Sequence, residues 1–106
     1  MTEEWIITPG TTPMHTFSIS IDSELLKKVR VIYTQRRSSV VRKEGSEVEI
    51  GEGMITVKLT QEETLRFREE DEVEIVLRAL TKGGDALISG PWTAKVDRCY
   101  DRVVLE

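Results

Sequence analysis

The sequence is poor in the residues on which many reactive centres depend. Cys99 is the only cysteine, which excludes an intramolecular disulfide and a cysteine-based zinc site within one chain. His15 is the only histidine, which excludes HExxH metalloprotease sites and any two-histidine cluster. Asparagine is absent, so there is no N-glycosylation acceptor. No apolar run approaches the roughly 20 residues that span a bilayer, and no membrane partner is expected. The opening Met1-Thr2-Glu3-Glu4-Trp5 is acidic where a signal peptide is basic, so no export is expected. No cofactor is expected either.

What is present bounds the molecule. A chain of 106 residues is shorter than the roughly 150 of one average domain, so a single domain is expected. Hydrophobic residues make up 39% and charged residues 32%, a balance that fits a packed globular domain. Fifteen basic against nineteen acidic residues leave a net charge of −4. That balance argues against nucleic acid as a partner, since such binding needs clustered positive charge to displace counterions.

Alternation with period two recurs along the chain. Phe17, Ile19 and Ile21 alternate with Thr16, Ser18 and Ser20, which predicts a half-buried strand. Val29, Val31 and Tyr33 form one face of a strand over Lys28–Thr34, and Gln35–Ser39 reads as a basic hairpin loop before an extended Val40–Lys43. Val48 and Ile50, a Gly51-Glu52-Gly53 turn, and then Ile55, Val57 and Leu59 read as another pair of strands. At Thr60-Gln61-Glu62-Glu63 a capping box predicts a short helical stretch over about Gln61–Phe67.

Glu72–Thr81 is the clearest strand. Val73, Ile75, Leu77 and Ala79 share one face, and Val76 and Leu80 on the other suggest a central strand covered on both sides. After Lys82-Gly83-Gly84-Asp85 the chain turns back through Ala86–Ser89. Gly90-Pro91 interrupts the alternation before Trp92, Ala94 and Val96, so an edge or a bulge is expected there. About seven or eight short strands with one helical corner predict an all-β antiparallel sandwich. Residues 1–14, with Pro9-Gly10-Thr11-Thr12-Pro13, read as a flexible arm, and 15–106 as the sandwich.

Reactive constellations are mostly missing from the pattern. Gly51-Glu52-Gly53 lacks the third glycine and the helix of a dinucleotide fingerprint and reads as a turn. A serine triad would have to use His15, which reads as an exposed or capping histidine. Glu62-Glu63 and Glu69-Glu70-Asp71-Glu72 could mimic a calcium loop or a paired-carboxylate glycosidase site. They lack the alternation and central glycine of such a loop and read as a solvated acidic corner. Cys99 lies between Arg98 and Tyr100 without an accompanying base and reads as a half-buried structural cysteine.

Two features point towards contacts with other molecules. Asp22–Lys43 carries seven basic against two acidic residues, net +5, whereas Glu44–Glu74 carries eleven acidic against three basic, net −8. Either these segments neutralise each other across a sheet, or they make a bipolar surface suited to head-to-tail assembly. Trp5-Ile6-Ile7 is an apolar run inside the arm, costly if left exposed, and it suggests docking. The candidate interaction residues are therefore Trp5, Ile6, Ile7, Arg36, Arg37 and Trp92. A platform for sugar made of Trp92, Tyr33 or Trp5 is the alternative.

The runs Thr8–Phe17, Lys27–Tyr33 and Val57–Phe67 resemble small uncharacterised proteins encoded by phages and prophages of gut Firmicutes, in or near tail-structural gene regions. The resemblance extends from Thr8 to about Val104 and implies no catalytic residue. The strand order is also similar, more weakly, to the immunoglobulin-like N-terminal domain of phage baseplate upper proteins. What this likeness implies is an immunoglobulin-like sandwich without the paired cysteines. It further implies a non-enzymatic structural or accessory protein of a phage tail or baseplate, working through protein–protein contacts. Partners would be other phage structural proteins or a second copy in a weak homo-oligomer, and the location the host bacterial cytoplasm or the virion. A small adhesin-like carbohydrate-binding domain is the alternative.

Overall fold

The computed structural model describes residues 5–106. Eight strands form two sheets: β1 (Trp5–Ile7), β8 (Ala86–Val96), β7 (Glu72–Thr81), β3 (Leu26–Gln35) and β4 (Ser38–Glu44) in one, and β2 (Met14–Ser18), β6 (Met54–Lys58) and β5 (Val48–Gly51) in the other. Every pairing is antiparallel except β1 on β8. Among the described residues no helix is long and apolar enough to cross a membrane.

The period-two pattern explains the core. Val29, Val31 and Tyr33 of β3 and Val73, Ile75, Leu77 and Ala79 of β7 are all buried, and they meet Phe17, Ile55 and Val57 of the smaller sheet. The expected capping box closes the turn α1 (Gln61–Thr64): the Glu63 amide donates to Thr60 Oγ1 at 3.1 Å, and the Thr60 amide donates to Glu63 Oε1 at 2.8 Å. Phe67 is buried behind it, as its sequence position predicts. Gly90-Pro91 is a bulge, with the β7–β8 register shifting between Ile75 and Leu77. Gly90 has φ +104°, and a Cβ there would stand 2.9 Å from the Ile75 carbonyl oxygen, so only glycine fits without distortion.

The N-terminal segment differs from expectation. Trp5–Ile7 is a strand paired with Ala94–Val96, not part of a flexible arm, and Ile7 is fully buried. The following loop is also tied down. Thr64 Oγ1 accepts from the Gly10 amide at 2.9 Å and donates to the Thr11 carbonyl, also at 2.9 Å. Backbone pairing and burial of Ile7 together outweigh the local turn preference of Pro9–Pro13. Residues 1–4, the remainder of the expected arm, lie outside the described residues.

Two further expectations are corrected. The first strand of the smaller sheet begins at Met14 and ends at Ser18, leaving Ile19 and Ile21 half-buried beyond it. The expected loop Gln35–Ser39 is a two-residue turn, with Arg36 at φ +50° and Arg37 at φ +68°. Two positive values in succession match the twist of paired strands.

Candidate interaction surface

Four titratable side chains, His15, Tyr33, Lys43 and Glu63, are turned inwards. His15 is buried, contrary to its reading as an exposed or capping residue, because it shares the inward parity of Phe17 on β2. Its ring stacks on Trp5 with centroids 4.9 Å apart and an interplanar angle of 1°. His15 Nδ1 and the Tyr33 hydroxyl share a hydrogen bond of 2.6 Å. Burial lowers the imidazole pKa from 6.5 to about 4, so it is neutral at pH 7. Burial, and then the negative charge of Glu63, push the Tyr33 hydroxyl upwards. The ring contacts continue from Trp5 to Phe17 to Trp92 on one side and from Tyr33 to Phe67 on the other.

Beside this row lies a buried ion pair, which corrects the expectation of a solvated acidic corner at Glu63. Lys43 occupies an inward position on β4, and its Nζ stands 2.5 Å from Glu63 Oε1 and 3.6 Å from Glu47 Oε2. Burial raises the Glu63 carboxyl, but hydrogen bonds from the Lys43 ammonium and the Thr60 amide outweigh it and hold the group below its usual value. No buried side-chain nitrogen or oxygen among the described residues lacks a hydrogen-bond partner. The cluster is thus internally satisfied, and it joins the large sheet to the α1 corner. Among the described residues, no three His, Cys, Asp or Glu side chains are arranged to hold a metal ion.

The two oppositely charged segments meet in four ion pairs: Arg30–Glu44, Arg36–Asp71, Lys43–Glu47 and Lys43–Glu63. The Arg36 guanidinium donates to Asp71 at 2.8 Å and holds that carboxyl below its usual value. Neutralisation is incomplete, because Lys27, Lys28, Arg37 and Arg42 make no ion pair with another described residue.

The candidate interaction residues separate. Ile7 belongs to the core, and the Trp5 and Trp92 rings pack against it half-buried. Ile6 is 62% exposed, on the outer face of β1. Arg36 and Arg37 stand exposed at the β3–β4 turn, towards the same end of the large sheet as Asp71. Tyr33 is fully buried, so the three aromatic residues proposed for a sugar platform do not assemble on the surface.

A different surface emerges from the register. On the outer face of the large sheet, Ile32 lies opposite Val76, Arg30 opposite Arg78, Lys28 opposite Leu80, and Ile88 opposite Arg78 from the other side. Ile88 is 70% exposed, whereas Ile32, Val76 and Leu80 are half-buried. Val76 and Leu80, read from sequence as evidence of a covering layer, instead stand to either side of Arg78 on a face that no layer among the described residues covers. Arg30 and Arg78 form a row between the Ile32–Val76 pair and Leu80, Lys28 and Arg42 flank the apolar residues, and Glu72 and Glu74 lie towards the opposite end. Around the margin a cleft of about 630 Å³ opens between Lys27–Arg30 of β3 and Val48 and Ile50 of β5. The cations of the same parity, Arg30 and Arg78, were the available sign that this face meets solvent.

No family model and no curated protein matches the chain. Among solved structures, the chain is similar to the NK cell receptor Nkp44, described as a triggering partner in natural cytotoxicity. That match has 16% identity and a TM-score of 0.48, over 91% of this chain and 100% of that one. It is similar also to the V domain of amphioxus IgVJ-C2, with 11% identity and a TM-score of 0.35, over 88% of this chain and 99% of that one. The two-sheet order described above, taken by itself, makes this chain a β-sandwich, antiparallel throughout except where β1 joins β8.

Proposed function

We propose that the chain is a non-enzymatic protein–protein interaction module whose contact surface is the outer face of the large sheet. The observation that carries this reading is the set Ile32, Val76, Leu80 and Ile88, interleaved with Arg30 and Arg78 and left uncovered by the other described residues. Exposed apolar side chains grouped on one face and mixed with arginine mark contact sites. The buried, mutually satisfied state of His15, Tyr33, Lys43 and Glu63 supports a role without catalysis, since these groups are kept from a substrate. The resemblance to tail-region phage and prophage proteins supplies the setting we propose, a structural or accessory part of a tail or baseplate. A carbohydrate-binding role has less support, because Tyr33 is buried and the Trp5 and Trp92 rings pack on His15 and Phe17.

The test is a photo-reactive residue placed at Ile88, with the same group at Thr56 on the outer face of the smaller sheet as control. Each protein is mixed with the tail and baseplate proteins encoded in its own genome. Cross-links formed from position 88 and not from 56 support the reading. Equal labelling, or none from 88, overturns it.

A further inference from the structure

Resting on the assignment of this face as the contact surface, we infer that one partner it accepts is a second copy of the same chain. The two copies would pack face to face, with β7 of one antiparallel to β7 of the other. The argument is one of charge placement. Glu74, Val76 and Arg78 succeed one another on the outward side of β7, so opposite charges stand one step to either side of an apolar residue. Glu74 and Arg78 are both exposed, and neither makes an ion pair with another described residue.

Two sheets packed face to face by a two-fold operation need an axis lying in the plane between them. An axis running along β7 would set Arg78 against Arg78 and Glu74 against Glu74, with Arg30 over Ile88 of the second copy, and like-charge repulsion opposes it. An axis across the strands, at the level of Val76, reverses the strand direction. It sets Arg78 over Glu74 of the second copy and Glu74 over its Arg78. Val76 and Ile32 then meet their own counterparts, and Ile88 is covered by the Thr93 side of the other sheet. Over Glu74–Arg78 the pattern is thus self-complementary about one axis and self-repelling about the other, while Leu80 falls over Glu72 of the second copy. Arg42, beside Ile32 on β4, lies at the level of the axis and meets its own counterpart. That like-charge approach at the margin keeps the association weak.

Sedimentation equilibrium of the full chain at about 1 mM tests this at low and high salt. The wild type is expected to dimerise at low salt and to loosen as salt rises. Arg78→Glu and Glu74→Arg each place like charges in register, and each should weaken association at least about tenfold. The double variant R78E/E74R restores opposite charges and should recover the wild-type constant to within about threefold. Mixing the two single variants should give a heterodimer. Lys58→Glu, on the other sheet, should change nothing, and urea midpoints of all variants confirm that the fold is kept. A wild type that stays monomeric, single variants that dimerise normally, or a double variant that fails to recover overturns the inference. If position 88 still cross-links to other proteins while the chain is monomeric, the second copy is excluded and the reading of the face stands.

Discussion

Acidification from pH 7.5 to 5 should cost this protein about 2 kcal/mol of stability through His15 alone. The folded imidazole titrates at about 4, and the unfolded one at its ordinary 6.5. Between those values the unfolded chain holds a proton that the folded chain refuses. Stability therefore falls as pH drops through that window and is insensitive to His15 above it. The loss is about 2 kcal/mol at pH 5 and about 3 kcal/mol at pH 4. Glu63 and Asp71, whose carboxyl pKa values are lowered in the fold, contribute in the same direction but only once pH falls below their ordinary carboxylate range. Urea denaturation at pH 7.5 and 5 thus isolates the histidine. His15→Gln should be less stable at both values, yet lose the 2 kcal/mol difference between them. A single histidine also gives a single imidazole Cε1–H resonance, whose midpoint in the folded protein should lie near 4. A folded-state midpoint near 6.5, or equal urea midpoints for the wild type at both pH values, refutes the reasoning.

Other variants probe separate parts of the fold by the same urea melts at neutral pH. Leu77→Ala should cost about 2–5 kcal/mol by opening a cavity, whereas exposed Lys58→Ala should be near neutral. Lys43→Ala leaves Glu63 buried without its cation and should cost about 3 kcal/mol, but Arg30→Ala, from an exposed pair with Glu44, less than about 1 kcal/mol. Thr60→Ala removes half of the capping box and should cost about 0.5–2 kcal/mol. Arg37→Gly should stabilise by roughly 0.5–1 kcal/mol, because glycine adopts the positive φ of that turn without strain.

The parts of the fold that were legible are those in which neighbours in sequence decide the outcome. β7 shows its buried face through Val73, Ile75, Leu77 and Ala79, and the capping box joins residues only three apart. β1 was not legible, because three residues are too few for a period and their partner strand lies at the far end of the sequence. His15 and Lys43 were legible in principle: each shares the inward parity of a core neighbour, Phe17 or Val41. Polarity argued the other way, and burial won because Tyr33 and Glu63 satisfy them. The proposed interaction surface needs the pairing of Ile32 with Val76 and of Arg30 with Arg78, which no single segment contains.

The parallel pairing of β1 with β8 imposes an order on synthesis and folding. Trp5 pairs with Ala94, 89 positions later, so an early strand has no partner until nearly all the described chain has been made. Contacts so distant in sequence require closure of the longest loops and tend to form late. While the chain grows on the ribosome, Ile7 has no β8 to lie against, and Trp5 can gather only the aromatic neighbours supplied by β2. A chain halted before residue 94 keeps β3, β4 and β7 but leaves its first strand unattached and apolar. The edge that β1 covers therefore distinguishes a chain that has reached β8 from one halted before it, and the halted chain carries a free apolar strand that aggregation or proteolysis can act on.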